Sequence, residues 1–493
     1  MPHHTSRRFS RRRLLRTAGI MGGALAAGCR DRMETAPVTS SRRDSDVRIA
    51  SVSVEYEQHR FRTPLKFGGA IMSHCVIPNV RIRVERPGGR SAEGFGSMPL
   101  GNVWAFPPRY VPPDQSLEAM KRLTEAVAGV VRAHREWGHP IDLGTQLHPE
   151  CFRRADEISR DMKLASPIPK LCSLVVISPF EAALYDAFGK ANAINTFNGL
   201  GRDFVAHDLA LYLDKRFKGK YLDGYTLRQP KPAMPLYHLV GALDPLTDAD
   251  IKERINDGLP ETLPEWIERD GLTHLKIKMN GDDLGWDVDR VLRVDAIAAE
   301  TQKRRGVSRW FYSIDFNERC RNVQYLLDFF SRISEKQPAA FERIQYVEQP
   351  TDRDLKAHPE NKMHQAAKIK PVVIDESLTD YESLLLAREQ GYSGVALKAC
   401  KGHTESLLMA AAALEFSMFI TVQDLTCPGA SFIQSAELAA RIPTVAAIEG
   451  NARQYCPSAN KAWARRCPDL FVVRNGAVRT GSLTLPGLGH ETS

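Results

Sequence analysis

"HLKIKMNG", residues 274–281, decides how the chain is read. As a strand it sends His274, Lys276 and Lys278 to one side and Leu275, Ile277 and Met279 to the other. The apolar side asks for burial, so the opposite side aims two ammonium groups at one place. The run is the second of eight of its kind. The eight are "LYHLVGA" (from 236), "HLKIKM" (274), "WFYSIDF" (310), "IQYVEQP" (344), "PVVIDES" (371), "GVALKAC" (394), "MFITVQD" (418) and "TVAAIEG" (444). Helix-period segments such as "YESLLLAREQGY" and "TESLLMAAAALEF" lie between them. Alternating strands and helices predict a parallel sheet, and eight units predict an α/β fold of the (β/α)8 TIM-barrel type over residues 231–460.

Outward from that core, "RQPKPAMP" (228–235) is a breaker-rich boundary. Ahead of it stand two alternating runs, "VRIASVSVEY" and "VIPNVRIRVE". The stretch "RFRTPLKFGG" between them offers Pro64, Gly68 and Gly69 for a loop. Helices are expected from Ser116 to about Arg135 and from Ser178 to Lys190, the second with Ser178 as N-cap and Pro179 as its first residue. Residues 47–230 therefore read as an α+β capping domain, and residues 461–493 as a segment returning to it.

The 493 residues are 43% hydrophobic and 26% charged, the composition of an ordinary globular protein too long for one small core. Six arginines between Arg7 and Arg16, with no acidic residue among them, account for most of the net charge of +8. The near-neutral remainder gives no electrostatic reason for a nucleic-acid partner. "SRRRLLR" (10–16), a short apolar stretch and "LAAGC" (25–29) resemble a twin-arginine export signal with a lipoprotein cleavage box. The expectation is a signal over 1–28, a lipid anchor at Cys29, a flexible tether over 29–46 and an exported, periplasmic or membrane-anchored protein. No further segment reads as transmembrane. Cys456 and Cys467, flanking a Pro-containing segment, either pair in an oxidising compartment or remain isolated buried thiols.

In a barrel of this kind functional groups sit at the C-terminal ends of strands. Those ends carry Lys276 and Lys278, then Asp315 and Asn317, Glu348, Asp375 with Glu376, Lys398 with Lys401, and later Asp424 and Glu449. Five consecutive ends alternating between lysines and carboxylates exceed what strand capping requires. "LKIKMNG", "IDFNE", "VEQP", "VIDES" and "VALKACKG", in that order, resemble the enolase superfamily, within it the muconate lactonizing enzyme and dipeptide epimerase subgroup of the mandelate racemase/muconate lactonizing enzyme family. "RTPLKFGG" and "FEAALYDAFGK" are similar to that family's cap loop and cap-to-barrel helix. The resemblance runs over residues 47–460.

The resemblance implies Mg2+, with Mn2+ as a substitute, held by Asp315, Glu348 and Asp375, a hard-oxygen set suited to such an ion. Asn317 and Glu376 would orient those ligands. It implies Lys278 as the base on one face of a small carboxylate substrate. Lys276 would orient the substrate carboxylate and tune its neighbour, and Lys398 would stand on the opposite face. A proton α to a carboxylate leaves only if the enediolate is stabilised as it forms, by the cation and a nearby ammonium. The base must be an uncharged amine, which burial and a neighbouring positive charge favour. Racemisation or epimerisation is the expected outcome. The same groups also serve a cycloisomerase or a syn-elimination lyase, and a non-catalytic, extracytoplasmic ligand-binding lipoprotein on this scaffold is the rival from another class. A homo-oligomer is implied by the family alone.

The chain departs from the family at four places, one of them a cap longer than usual at "GSMPLGNVWAFPPRYVPP" (96–113). "MFITVQD" lacks a histidine at the seventh strand, which disfavours acid-sugar dehydration. "IEGNAR" offers Glu449 and Asn451 where dipeptide epimerases commonly carry Asp-x-Asp. Gly402-His403 replaces the usual Gly-Gly. Phe67, Trp104 and Phe106 of the cap, with Asp424 and Glu449, are the candidates for substrate specificity. Lys401 is expected at a solvated helix start, His274 in the core, and Cys400 as a small packing residue.

Overall fold

A computed structural model describes residues 42–67 and 70–491, with the Phe67 side chain also excluded. The export segment 1–28, Cys29 and most of the tether lie outside the described residues.

The first sheet is antiparallel, in the order β1 (Arg48–Phe67), β2 (Ala70–Glu85), β3 (Ser91–Ser97). The stretch read as a loop is part of a long hairpin instead. β1 pairs with β2 as far as Phe67 and Ala70, with an irregularity between Arg60 and Leu65, where Pro64 has no N–H to give the ladder. The hairpin's far end is seated on the barrel mouth. Leu65 clusters with Leu239 and Tyr455, and the Arg62 guanidinium grips Asp257 through two bonds of 2.6 and 2.9 Å.

Four helices complete this domain: α1 (Asn102–Ala105), α2 (Pro113–Ala133), α3 (Pro140–Asp161) and α4 (Lys170–Asn192). α4 starts eight residues before the expected Ser178 and carries Pro179 in its interior. The cost of the missing N–H is offset locally, because the Ser178 hydroxyl donates to the Val175 carbonyl at 2.8 Å, the acceptor that Pro179 leaves empty. β3 lies directly on α4. A Cβ at Gly94 would stand 2.1 Å from the Ala183 oxygen, and one at Gly96 1.8 Å from the Pro179 oxygen. Among the described residues α4 is long and apolar enough to cross a membrane, contrary to the sequence reading. Its apolar stretch is wholly buried in the protein, as in a core helix.

The eight apolar runs form β4 (Ala233–Val240), β5 (His274–Lys278), β6 (Phe311–Asp315), β7 (Ile344–Glu348), β8 (Val372–Ile374), β9 (Gly394–Lys398), β10 (Phe419–Gln423) and β11 (Ile448–Glu449). They pair in parallel in sequence order, and β11 pairs with β4 to close the ring. The lower interior is filled by Tyr237, Tyr346, Val373, Ala396 and Ala447. His274 belongs to this layer, with its ring 5.1 Å from Tyr237 and 5.0 Å from Phe311. Burial pushes its imidazole down to about 4, so it is a neutral core residue. β12 (Ala477–Arg479) adds antiparallel to β4, and Gly487 beyond it exchanges backbone hydrogen bonds with Ile194 and Thr196 at the end of α4.

Of the two alternatives open for Cys456 and Cys467, the structure has free thiols and no pair. Cys456 Sγ stands 3.8 Å from Cys75 Sγ of β2, both as free thiols, while Cys467 lies part-exposed elsewhere. Helix Pro457–Arg466 lies between Cys456 and Cys467 and holds them apart, one at each of its ends.

Candidate active site

Strand register sets the site. Lys278, Asp315 and Glu348 are level with one another across β5, β6 and β7. Lys398 on β9 is level with Gln423 on β10. Lys278 and Lys398 stand four strands apart in a closed ring of eight, on opposite walls. Asp375 follows directly on β8, and the Asp315, Glu348 and Asp375 carboxylates are all essentially solvent-free.

The ammonium groups thread between these acids. Lys276 Nζ lies 3.0 Å from Asp315 Oδ2, 2.9 Å from Glu348 Oε2 and 2.9 Å from Glu449 Oε2. Lys278 donates to Asp315 and, at 2.8 Å, to Asn317 Oδ1. Lys398 Nζ is 2.7 Å from Asp375 Oδ2. Lys401 is buried rather than solvated. Its Nζ donates to the Asp375 backbone oxygen and lies 3.1 Å from Asp375 Oδ1, because the short turn Ala399–Lys401 folds it back under the site. Burial alone would lower the Lys276 and Lys398 ammonium pKa values, but the carboxylates outweigh it: Asp315, Glu348 and Glu449 for Lys276, Asp375 and Glu348 for Lys398. Both are held protonated. Lys276 is thus a charged neighbour, as the sequence reading required. Lys398 is in the form that returns a proton, and the carboxylates that hold that proton are those a cation would engage.

Among the described residues no three Asp, Glu, His or Cys side chains form a ready-made metal cluster. The ammonium of Lys276 stands against two of the three carboxylates in question. The donor set nevertheless fits a hard divalent cation. Both side-chain oxygens of Asp375 are buried, and beyond their ion pairs with Lys398 and Lys401 neither accepts a well-directed hydrogen bond. Burial, then Asp315 and Asp375 on either side, push the Glu348 carboxyl well above its usual range, the mark of acids crowded without enough counter-charge. Asp315, Glu348 and Asp375 are the residues that would hold the ion.

The flanking groups were only partly anticipated. Asn317 and Glu318 take left-handed backbone, with φ of 44° and 62°, at the end of β6. That turn brings the Asn317 N–H to Asp315 Oδ1 at 2.8 Å and its amide to Glu376 Oε1 at 3.3 Å. Trp104 reaches from the cap into the site. Its indole N–H donates to Glu376 Oε1 at 2.9 Å, its ring lies 4.4 Å from Lys398 Nζ, and its backbone oxygen is held by Arg353 at 3.1 Å. Phe106 packs in the core near Tyr110, and the Phe67 side chain lies outside the described residues.

At the last two strands Glu449 faces Lys276, whereas Asp424 turns away from the interior. Its oxygens accept from the backbone N–H of Thr426, Cys427 and Asn451 and from the Asn451 amide, so it ties two loops together. The inward residue of the seventh strand is Gln423, which sequence reasoning passed over. Its amide donates to Glu348, and its oxygen lies 3.4 Å from Lys276 Nζ. Alternation, counted back from the charged strand end, was the signal that could have found it.

Glu181 of α4 was also missed. It accepts from His148 Nε2 of α3 at 2.8 Å and from the Thr404 N–H at 2.9 Å, at the start of the helix that follows Lys398. A Cβ at Gly402, whose φ is +93°, would stand 2.5 Å from Glu181 Oε2, so this position stays glycine and the cap clasps the Lys398 segment closely.

The sequence model of the enolase C-terminal domain-like family matches residues 259–493. A comparison with curated proteins finds no match. Among solved structures, the chain is similar to muconate lactonizing enzyme from Pseudomonas fluorescens complexed with muconolactone (TM-score 0.56, 17% identity, 90% of this chain and 96% of that one). It is similar also to dipeptide epimerase from Enterococcus faecalis complexed with Mg and the dipeptide L-Leu-L-Tyr (0.58, 15%, 90% and 100%). A third is a racemase from Streptomyces coelicolor with bound magnesium (0.53, 16%, 90% and 97%). At these identities the likeness establishes the fold. Residues 259–493 thus match the enolase C-terminal domain-like family, and the chain as a whole has the fold of these structures, a barrel and its capping domain.

Proposed function

We propose that the protein is an enzyme that works with a divalent cation, magnesium before manganese, to remove the α-proton of a small carboxylate, as a racemase or epimerase. The observation that supports this most is the opposition of Lys278 and Lys398 across one ring of strands, with the buried acids between them. A cation held by Asp315, Glu348 and Asp375 would supply Lewis-acid stabilisation of the charge that grows on the substrate carboxylate. Lys278 Nζ takes the α-proton on one face. Lys398 Nζ returns a proton to the other face, and a substrate of opposite hand runs the pair in reverse. Lys276 keeps its charge and offsets the surrounding acids, which would otherwise repel an anionic substrate. Trp104 roofs Lys398 and keeps water from that side.

A one-base cycloisomerisation or elimination is the second reading, favoured by one observation. Lys398 is pinned between Asp375 and the Trp104 ring, as suits an electrostatic post that moves no proton. Proton NMR in D2O on a library of α-substituted carboxylates, with Mg2+, is expected to find α-deuterium incorporation in at least one. Incorporation undiminished in a variant carrying both Lys278→Ala and Lys398→Ala would overturn the assignment. Stabilisation by a carboxylate with no exchange anywhere would instead support a binding protein. The proposal includes export and acylation at Cys29, resting on residues 10–29. Mass spectrometry of the mature N-terminus tests it, and an unmodified Met1 would remove it.

A further inference from the structure

Beside Lys278 there is a cavity of about 160 Å3. It is comparable in volume with an engineered protein cavity that admits benzene, about 150 Å3, which is room for the distal part of a small substrate. Its polar lining is Lys66, Lys278, Asn280, Asp282, Asn317 and Arg319. These come from the cap hairpin and from the loops after β5 and β6. Arg319 and Asp282 are ion-paired with each other, which leaves the lysines in excess. Lys278 is shared with Asp315, while Lys66 makes no ion pair among the described residues. Lys66 is held over this space by the hairpin's anchorage, since Leu65 beside it is packed against Leu239 and Tyr455. Gly281, at φ +75°, lets the loop after β5 lie against Arg319, where a Cβ would stand 2.5 Å from the Arg319 Cβ, so the two loops form one wall.

A hydrocarbon tail placed here would strip water from two carboxamides and three cations and return nothing. An anion would be met by charge-assisted hydrogen bonds. We propose that this cavity binds a second carboxylate of the substrate, read by Lys66 from the cap and Arg319 from the barrel, so that the protein acts on dicarboxylates. The inference rests on the proton-abstraction reading for the position of the first carboxylate, and it names the substrate class for that site.

The test is calorimetric titration of the full chain, loaded with Mg2+, with glutarate, its monoamide and pentanoate, and with the same three compounds one carbon longer. The diacid of at least one length is expected to bind about tenfold or more tighter than its monoamide and monoacid. Lys66→Met should lose about that factor for the diacid and leave the monoacid unchanged. Arg319→Met should do the same or more, because it also releases the Asp282 carboxylate into the cavity. Equal binding of the three compounds, no binding by either diacid, or a Lys66→Met loss shared by the monoacid would overturn the proposal. Diacid selectivity without α-deuterium exchange in any carboxylate would retire the reaction and leave this site. Exchange that is indifferent to the distal charge would retire the site and leave the reaction.

Discussion

Replacing His148 by Gln should unfasten the cap from the barrel in a pH-dependent way. The imidazole is 8% exposed, lies 2.8 Å from Glu181 Oε1 and 3.6 Å from Glu405 Oε1, and joins α3, α4 and helix His403–Glu415. Burial alone would lower its pKa, but hydrogen bonds and charge from the two carboxylates raise it to about 9, from an ordinary 6.5. The folded state therefore binds a proton that the unfolded state releases between those two values, and stability falls as pH rises through that window. The full contribution, on the order of 3 kcal/mol from the size of the shift, is present below pH 6.5 and is lost as pH passes about 9. Urea unfolding of wild type and His148→Gln at a series of pH values reads the difference directly. It should be largest near pH 6 and shrink across pH 7–9.5. In more acid solution the pair is lost again as Glu181 protonates, since its pKa lies below the ordinary value through His148 and the Thr404 N–H despite burial. A difference independent of pH, or a wild type that gains stability from pH 6.5 to 9, would refute the latch.

Glu348→Gln should weaken Mg2+ binding by calorimetry at least tenfold, and EDTA should abolish α-proton exchange until Mg2+ is restored; exchange that persists in EDTA contradicts a Lewis-acid role. Trp104→Phe removes the N–H to Glu376, a hydrogen bond worth ~1–3 kcal/mol, but keeps a smaller aromatic ring beside Lys398, whereas Trp104→Ala also removes that ring, a contact worth ~2 kcal/mol when desolvated. The alanine variant should therefore lose about tenfold more kcat/KM than the phenylalanine variant, and equal losses would deny the ring contact a role. Mild oxidation of the folded protein with diamide should join Cys75 to Cys456 in peptide maps; a Cys456–Cys467 link would contradict the thiol arrangement.

Much of this architecture was legible because parallel strands buried on both faces read as short apolar runs, and charges that interrupt such runs at their ends have nowhere to point but the barrel mouth. Lys276, Lys278, Asp315, Glu348, Asp375 and Lys398 were found that way. What escaped depends on contacts between distant segments. Nothing near Glu181 in the sequence marks it as the acceptor for Thr404, more than two hundred residues on, or His148 as its counter-ion. Lys401 read as solvated because it follows a strand, yet a single turn of helix returns it to Asp375. Pro179 read as a helix start because serine and proline favour the N-cap and first helical position, but in mid-helix the hydroxyl of Ser178 takes the carbonyl that Pro179 cannot serve. Asp424 drew attention by its charge, and Gln423 went unnoticed beside it. At the end of β10, direction rather than charge decided which of the two meets the site.

The central claim is that two lysines serve opposite faces of one carbon. Once a substrate is found, α-deuterium exchange should be followed separately on each of its enantiomers in Lys278→Ala and Lys398→Ala. Each variant is expected to abolish exchange of one hand and to retain measurable exchange of the other, with the two variants silencing opposite hands. Loss of exchange from the same hand in both variants, or from neither, would contradict it.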